Sequence, residues 1–429
     1  MSNREVVITG MGIVTPLGKN VKENWENLKA MKTGIAYFPE DGIPEYLQYY
    51  GKVAEFDIPE NIHPKLLSQR KFLNRGSLLG FSSACEALTH SEINISDVPP
   101  ERRALYIASG DFSQIDSHFM YPAIKDGTDN KWQKMDFEKL NSSALNKVNP
   151  FFLLQSIANN LFSFLSAYFE FMGPNTTLAS LSPCGIHALE LAHRSIAHNE
   201  ADVALAVGCG NWITEVPLQE LHGLGILSKC KNGISSFKPF DKNRDGFITG
   251  EGGAAIFLES ADAANHRGAE ILGKLSKFEN CFEPSPDPGL TVTPNIIKRN
   301  IEMIMKEADS CINDLAFISL HGSGTKKGDA SELSSIIKIS NNKKPEIPIC
   351  GFKSYTGHIG AASDVGEIIL GLKSVTDRMI PATLNFEKAE KEFLKLNISN
   401  SHQSCDKDRF LSISYGIGGQ STSVLVETK

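Results

Sequence analysis

One pattern constrains the fold of this chain more than any other: a short apolar segment that ends in a glycine turn, repeated along the sequence. It occurs at residues 6–12, 104–110, 203–210, 317–322 and 411–419 of the 429-residue chain. The apolar runs are continuous rather than alternating, which is typical of strands covered on both faces by helices. Apolar residues at helical spacing fill the intervals, as from Ile186 to Ile196. The sequence therefore predicts an α/β fold with parallel strands between helices and ligands at the carboxyl ends of the strands.

The repetition also suggests a duplicated architecture. We predict an N-terminal half at residues 1–260 and a C-terminal half at 261–429, with the seam near Ser260. Residues 112–147 lack clear periodicity and are interpreted as an insertion over the core. The stretch 148–169 is uncharged and long enough to cross a bilayer. It contains several amide and hydroxyl side chains, so we predict a buried or subunit-contact helix instead.

The charge balance and the cysteines exclude several classes of protein. The chain has 43 Lys and Arg against 50 Asp and Glu, a formal charge of −7, which argues against a nucleic-acid-binding protein. An acidic partner would therefore need a local basic patch. Eight cysteines without a Cys-x-x-Cys pair predict neither a disulfide framework nor a zinc site. The apolar run from Val6 to Ile8 is too short for a signal-peptide core, so we expect a cytoplasmic protein without membrane association.

Two further motifs are too weak to carry a function. Gly10 and Gly12 follow a predicted strand, but Thr15 stands where a dinucleotide-binding motif has its third glycine. Three histidines share one predicted helix at His187, His193 and His198. Their spacing does not place two ligands on one helix face, so the sequence predicts no metal site.

Cys184 occupies a position that favours chemistry. It stands in Ser182-Pro183-Cys184-Gly185, directly before the predicted helix that continues through Ile186. Proline is favoured at a helix start because its missing amide is one the first turn cannot use. A thiol there faces the positive end of the helix dipole, which favours the thiolate. Taken alone, a cysteine at such a position is more often a small buried apolar side chain than a nucleophile.

Two glycine-flanked histidines strengthen the functional interpretation. His321 ends a predicted strand in His-Gly-Ser-Gly-Thr, and His358 stands in Gly-His-Ile-Gly. Glycine beside a functional side chain indicates that backbone or ligand approaches closely. Together with Cys184 and a Gly-Ile-Gly-Gly turn around Ile417, these residues predict thioester chemistry.

The motifs also resemble, in their order along the whole chain, those of one family: the β-ketoacyl-acyl carrier protein synthases, condensing enzymes similar to KAS I and II of type II fatty acid and polyketide synthesis. The matching segments are 7–18, 149–152, 182–185, 240–252, 321–332, 353–358 and 416–419. The resemblance implies the thiolase fold, in which two similar halves form a five-layer αβαβα sandwich that pairs into a dimer. The partner in that dimer would be a second copy or a chain-length-factor-like subunit.

The resemblance further implies an acyltransferase reaction and a role for each residue. Cys184 would accept an acyl chain from the phosphopantetheine arm of an acyl carrier protein. Malonyl-acyl carrier protein would then lose carbon dioxide, and its enolate would attack the acyl thioester. The implied supporting roles are enolate donors (His321, His358), a second oxyanion hole (the amides of Cys184 and Ile417), electrostatic support (Lys353 paired with Glu332), pantetheine binding (Ser323, Thr325) and carrier-protein docking (Arg70, Lys71, Arg75). No metal or cofactor of its own is implied.

Three departures from the family pattern suggest a specialised enzyme. Ile417 replaces a phenylalanine that gates the acyl pocket, Pro183 follows Ser182 in place of Thr-Ala, and Ser363 replaces a glycine. We interpret the chain as a ketosynthase of a specialised type II polyketide or polyene pathway, with a housekeeping fatty-acid elongating synthase as the alternative.

Two other classes remain open. A non-catalytic chain-length-factor-like subunit typically lacks the nucleophile, whereas Cys184 is present here. A thiolase acting on coenzyme A esters would use a second cysteine near the last strand turn. Cys405 lies instead in a polar loop.

Overall fold

The computed structural model describes residues 4–60, 62–109, 119–129, 131, 133–152, 159–180, 183–284, 292–340 and 345–428. Its helices are α1 (Val21–Lys29), α2 (Pro64–Arg70), α3 (Arg75–His90), α4 (Tyr121–Gly127), α5 (Phe137–Lys147), α6 (Asn160–Phe169), α7 (Cys184–Ala197), α8 (Glu215–Gly223), α9 (Ala261–Arg267), α10 (Lys298–Glu307), α11 (Lys326–Ile339), α12 (Lys353–Thr356) and α13 (Ala361–Thr376). Its strands are β1 (Val6–Val14), β2 (Ile35–Tyr37), β3 (Tyr49–Gly51), β4 (Arg103–Ala108), β5 (Asn175–Leu178), β6 (Val203–Asn211), β7 (Glu251–Ser260), β8 (Lys274–Phe282), β9 (Ile318–Ser319), β10 (Pro348–Cys350), β11 (Met379–Ile380), β12 (Asn397–Ile398), β13 (Gln403–Ser404), β14 (Arg409–Tyr415) and β15 (Gln420–Glu427).

Two large sheets repeat one topology. The N-terminal sheet has the order β1-β7-β6-β4-β5, and the C-terminal sheet has the order β8-β15-β14-β9-β10 with β12 added beyond β10. In both, the first three strands pair antiparallel and the remaining pairs are parallel. The predicted duplication is therefore confirmed. Along the chain, residues 261–273 separate the last strand of the N-terminal sheet from the first strand of the C-terminal sheet. The division into halves at 260 and 261 stays a prediction.

The helices complete five layers. α3 and α6 cover the outer face of the N-terminal sheet, where they enclose one apolar core. α10 and α11 cover the outer face of the C-terminal sheet over a second core. Between the sheets lie α7 and α13, which pack on each other and share the largest core with both. Because each central strand is buried on both faces, its apolar residues run continuously. The predicted thiolase fold is confirmed.

The region before the nucleophile differs in detail from the sequence prediction. Within 112–147, α4 and α5 pack against each other, joined by an ion pair of 2.6 Å between Lys147 and Asp126; residues 112–118 lie outside the described ranges. The helix predicted over 148–169 is wrong at its start, since α5 ends at Lys147 and Val148 is extended. Pro150 disfavours the helical conformation at the residue before it, Asn149, and residues 153–158 of the predicted helix lie outside the described ranges. α6 covers the last part and buries Leu161 and Phe164.

Among the helices in the described ranges, none combines the length and the apolar character that a bilayer crossing requires.

Candidate active site

Cys184 is the first residue of α7, as the sequence predicts. Its side chain is 1% exposed, and the thiol donates to the carbonyl oxygen of Ser180 at 3.3 Å. Gly185 follows without a side chain for a steric reason: a Cβ atom there would lie 2.6 Å from the carbonyl oxygen of Ala361. This glycine allows the start of α7 to approach the start of α13, so the nucleophile is held where the two halves of the fold meet.

His321 follows the short strand β9 in the C-terminal sheet. Its backbone N–H and that of Gly322 donate to the two carboxylate oxygens of Glu332, at 2.8 and 2.9 Å. The turn continues through Gly322 at φ +54°, a region that favours glycine. The ring is buried, and its Nδ1 lies 3.3 Å from the Ser414 hydroxyl oxygen. Backbone and side chain are therefore both fixed by hydrogen bonds.

His358 lies between α12 and α13 and is fixed by a different set of contacts. Its backbone N–H donates to Ile248 at 2.8 Å, and its carbonyl accepts from Gly250 at 2.9 Å. The side-chain Nδ1 accepts the N–H of Gly360 at 3.3 Å. Trp212 stacks on the ring with centroids 4.5 Å apart and planes at 21°. Because Nδ1 accepts a hydrogen bond, the neutral ring carries its proton on Nε2.

The two imidazole rings meet edge to face, with centroids 5.2 Å apart. Burial lowers the pKa of both His321 and His358 well below the usual 6.5, and the positive charge of Lys353 lowers each further. Both rings are therefore neutral near pH 7. A neutral imidazole donates one hydrogen bond and accepts one, which is the chemistry needed beside a thioester or enolate oxygen.

The predicted pair of Lys353 and Glu332 is wrong. The Lys353 ammonium instead contacts Glu367 of α13 at 2.7 Å, with both side chains buried. Both carboxylate oxygens of Glu332 accept hydrogen bonds from the backbone amides of His321 and Gly322. These two bonds direct the carboxylate toward the turn after β9. Burial raises the pKa of Glu367 to about 7. The electrostatic role expected of Lys353 stays a prediction, now with Glu367 as its partner.

A cavity of about 340 Å³ opens beside the histidines. Its lining includes His321, His358, Ser323, Thr325 and Ile417, so five of the residues singled out in the sequence share one space. The Ser323 and Thr325 hydroxyls lie 2.8 Å apart. Apolar side chains form much of the remaining wall: Trp212, Leu221, Leu224, Ile226, Phe247 and Val292.

Cys184 is not among the described residues that line this cavity. One hydrogen bond joins the start of its helix to α13, since the N–H of Gly185 donates to Asp364 Oδ2 at 3.1 Å. Burial raises the pKa of Asp364, while the charge of Lys353 and the Ser414 hydroxyl lower it. The nucleophile helix is thus held against the helix that follows His358.

Ile417 lies in the turn between β14 and β15, where it is 39% exposed and lines the cavity. Gly418 and Gly419 follow at φ +114° and +91°, so this turn requires glycine at both positions. The Ile417 side chain thus stands at the opening of the cavity, where a gate residue would lie. The oxyanion role of its amide, together with that of Cys184, stays a prediction.

The predicted docking residues separate into two kinds. Arg75 donates from Nε and Nη2 to the fully buried carboxylate of Glu251, both at 2.7 Å, so its charge is largely compensated inside the protein. Lys71 lies at the surface, where its ammonium stands over the rings of Phe72 and Phe151. Arg70 ends α2 and is partly exposed. Docking by these residues stays a prediction, in which Arg70 and Lys71 are the stronger members.

Sequence reasoning missed Trp212, Asp364, Glu367 and Ser414 as parts of the site. One signal was available: α13 is otherwise small or aliphatic over its first three turns, and two acidic residues at i and i+3 interrupt it. Carboxylates in so apolar a helix indicate buried partners. No comparable signal distinguishes Trp212, whose stacking depends on a residue 146 positions later in the chain.

The duplicated sandwich, with a cysteine at a helix start and two neutral histidines across the interface between the sheets, defines a condensing acyltransferase of the thiolase fold. The model of the beta-ketoacyl synthase N-terminal domain matches residues 3–264, and that of the C-terminal domain matches residues 288–387. The chain therefore belongs to the beta-ketoacyl synthase family.

Individual relatives and structures agree with this family. The 3-oxoacyl-[acyl-carrier-protein] synthase 2 of Coxiella burnetii is 26% identical over 437 residues, covering 99% of each chain. A ketosynthase bound to a hexaketide, in complex with its type II polyketide acyl-carrier protein, has a TM-score of 0.83 at 22% identity over 100% of each chain. The ishigamide ketosynthase/chain length factor has a TM-score of 0.82 at 21% identity, again over 100% of each chain. At these identities the two structures show the common fold.

Proposed function

We propose that this protein is a ketosynthase that condenses an enzyme-bound acyl thioester with malonyl-acyl carrier protein. The observation that carries the proposal is the meeting of two neutral imidazoles at one cavity, with the helix of Cys184 held against α13 by the hydrogen bond from Gly185 to Asp364. Hydrogen-bond donors preorganised in a dry site stabilise the negative charge that grows on a thioester oxygen.

The reaction would proceed in two stages at this site. First the Cys184 sulfur attacks the acyl thioester, an acyl–cysteine bond forms, and the pantetheine thiol leaves with a proton. Then malonyl-acyl carrier protein enters, its bond to the carboxylate carbon breaks, and carbon dioxide departs. The electron pair left behind attacks the acyl carbon, so that a carbon–carbon bond forms and the cysteine sulfur is released. All electrons are supplied by decarboxylation, and no redox cofactor is needed.

Each residue has a task in this scheme. His358 would donate Nε2–H to the enolate oxygen, beside His321. Ser323 and Thr325, with hydroxyls on the cavity wall, would bind the amides of the pantetheine arm. Lys353 would keep both histidines neutral by its charge. The amides of Cys184 and Ile417 would hold the acyl carbonyl oxygen.

The pathway and the partners belong to the same proposal. We place the enzyme in a specialised type II polyketide or polyene pathway, because Ile417 gives the cavity an aliphatic gate. Housekeeping fatty-acid elongation is the second candidate, and it is favoured by the likeness to the Coxiella burnetii synthase. The acyl carrier protein would dock near Arg70 and Lys71. The dimer partner is a second copy or a chain-length-factor-like subunit, and we expect a cytoplasmic location because the eight cysteines are free.

Intact mass spectrometry after incubation with acyl-acyl carrier protein tests the proposal. We expect one acyl group on the unaltered chain and none on Cys184→Ala, while Cys311→Ala, which removes an exposed cysteine, keeps the adduct. Adding malonyl-acyl carrier protein should discharge the enzyme and yield a product longer by two carbons. An acyl group that persists on Cys184→Ala, or an unaltered chain that is never acylated, would refute the function. A subunit without catalysis would give the second result.

A further inference from the structure

Tyr415 is the last residue of β14, and its hydroxyl belongs to a cluster on the cavity wall. The phenol oxygen lies 3.2 Å from the Ser323 hydroxyl, which in turn lies 2.8 Å from the Thr325 hydroxyl. Ser323 and Thr325 were expected from the sequence to bind the pantetheine arm, and Tyr415 was not. The tertiary structure therefore adds a third hydroxyl to the surface that would meet this arm.

The Ser323 hydroxyl is used up by contacts inside the protein. Besides the two neighbouring hydroxyls, its oxygen lies 3.3 Å from Asp329 Oδ1 and accepts the N–H of Thr325 at 3.3 Å. A serine hydroxyl has one hydrogen to donate and two lone pairs with which to accept. These contacts already fill that capacity, and Ser323 is 5% exposed. Its hydroxyl is therefore committed to the protein rather than to a ligand.

Tyr415 and Thr325 keep hydrogen-bonding capacity that Ser323 has spent. Burial raises the pKa of Tyr415 well above the usual 10, so the phenol keeps its proton near pH 7. The Ser323 hydroxyl lies next to both groups, and the Thr325 hydroxyl also lowers the pKa of Tyr415. Even with these contacts counted in full, each of the two hydroxyls has one position left, because a hydroxyl donates once and accepts twice.

The remaining positions border open space. Gly328 lines the cavity, and a Cβ atom there would collide with the Tyr415 phenol oxygen and lie 2.5 Å from the Thr325 hydroxyl oxygen. The absence of a side chain at Gly328 leaves room beside both hydroxyls. The Tyr415 ring also packs against the ring of His321, with centroids 4.5 Å apart. A ligand held by these hydroxyls would therefore lie close to one of the two histidines.

We propose, on the basis of the condensing function above, that the hydroxyls of Tyr415 and Thr325 bind the amide groups of the pantetheine arm. Ser323, expected from the sequence to bind the arm itself, instead holds these two hydroxyls in place. An amide has a carbonyl oxygen that accepts and an N–H that donates, so it can use either kind of free position on a hydroxyl.

Tyr415→Phe tests the phenol hydroxyl alone, because it keeps the aromatic ring. Calorimetric titration with pantetheine should give a dissociation constant about three- to tenfold higher than that of the unaltered chain, the effect of one lost hydrogen bond. Thr325→Val should have a similar effect. Ser323→Ala should have a smaller one, since Ser323 forms no bond of its own to the arm. Tyr106→Phe is the matched control and should change nothing, because Tyr106 is equally buried and also contacts a serine hydroxyl, but lies outside the cavity lining.

Kinetics with two malonyl thioesters separate a role in binding from a structural role. Tyr415→Phe should lower kcat/KM for malonyl-pantetheine by raising KM, with kcat unchanged. For the malonyl thioester of ethanethiol, which has no amide, kcat/KM should be the same in Tyr415→Phe and in the unaltered chain. Equal losses with both substrates would mean that the phenol only supports the fold of the site, and would overturn the proposal.

Three results of the titration would also overturn it: no binding of pantetheine by the unaltered chain, an unchanged dissociation constant in Tyr415→Phe, or a loss in Ser323→Ala as large as that in Thr325→Val. The last comparison decides where Tyr415→Phe fails to fold. Titration needs no turnover, so it decides about these hydroxyls even where the unaltered protein fails to condense and the proposed function falls. A chain that condenses, and whose affinity for pantetheine is the same in Tyr415→Phe, would keep the proposed function and lose this inference.

Discussion

His321 and His358 are neighbours with similar burial, but the protein holds them in different ways. His321 is held by titratable and polar side chains, since Ser414 contacts its ring and Glu332 its backbone. His358 is held by backbone amides and by the face of Trp212. A ring held by polar side chains can change its tautomer when those side chains change. A ring held by backbone and aromatic contacts keeps one tautomer, so we assign the oxyanion donor to His358.

His358→Ala should have the largest effect on the reaction rate. It removes the histidine of the cavity whose Nδ1 accepts a backbone amide and whose Nε2 therefore carries the proton, and loss of one oxyanion donor lowers the rate by about 10²- to 10³-fold. Release of carbon dioxide from malonyl-acyl carrier protein measures the effect. His198→Ala, at an exposed position, is the control and should keep the full rate. A loss of less than about tenfold in His358→Ala would contradict the assignment.

Lys353→Met removes the positive charge that lowers the pKa of both His321 and His358. It leaves Glu367 buried without its cation, and breaking a buried ion pair destabilises a protein by about 3 kcal/mol or more. Urea unfolding should show this loss of free energy of unfolding. The double variant Lys353→Met, Glu367→Gln removes the orphaned charge and should recover part of it. A double variant as unstable as the single one would show that the ion pair is not the source.

Trp212→Ala should raise the pKa of His358 and leave that of His321 low. The pKa of His358 is held well below 6.5 mainly by burial, so the unaltered enzyme keeps a neutral ring and a level decarboxylation rate as the pH falls through 6.5. Removing the indole admits water and raises that pKa toward about 6.5. Below that pH a protonated Nδ1 repels the Gly360 N–H and misdirects Nε2–H, so the rate should fall.

Trp212→Phe keeps a flat ring on His358 and provides the matched control. Its pH profile should resemble that of the unaltered enzyme. An acidic decline in both variants, or in neither, would mean that Trp212 does not control His358.

Ile417→Phe should have the smallest effect, because the side chain is 39% exposed at the opening of the cavity. The larger ring narrows the opening, so kcat/KM for long acyl chains should fall relative to short ones by less than about tenfold. The free energy of unfolding should change by no more than about 0.5 kcal/mol. Leu394→Phe, an exposed substitution outside the cavity lining, is the control. An unchanged chain-length ratio would remove the argument for a specialised gate.

The sequence predicted the site well where function depends on local pattern. The start of α7 at Cys184 follows from the Pro-Cys-Gly order, and the turns at His321 and His358 follow from their glycines. It predicted poorly where a partner is chosen across the chain. Lys353 pairs with Glu367 rather than Glu332, and the sequence did not indicate that Arg75 forms an ion pair with Glu251. In each case the cation takes a buried carboxylate that packing brings near, and spacing along the chain does not record that distance.

Continuous apolar strands, glycine turns and a cysteine before a helix were enough to determine the layered α/β fold and the chemical groups of the site, because these depend on backbone periodicity and on local conformation. The tertiary structure alone decided which carboxylate neutralises Lys353, that the Nδ1 of His358 accepts a backbone amide, and that Asp364 contacts the amide after the nucleophile. Those choices depend on hydrogen bonds of about 3 Å between residues far apart in the chain, and such distances exist only after the two sheets close on α7 and α13.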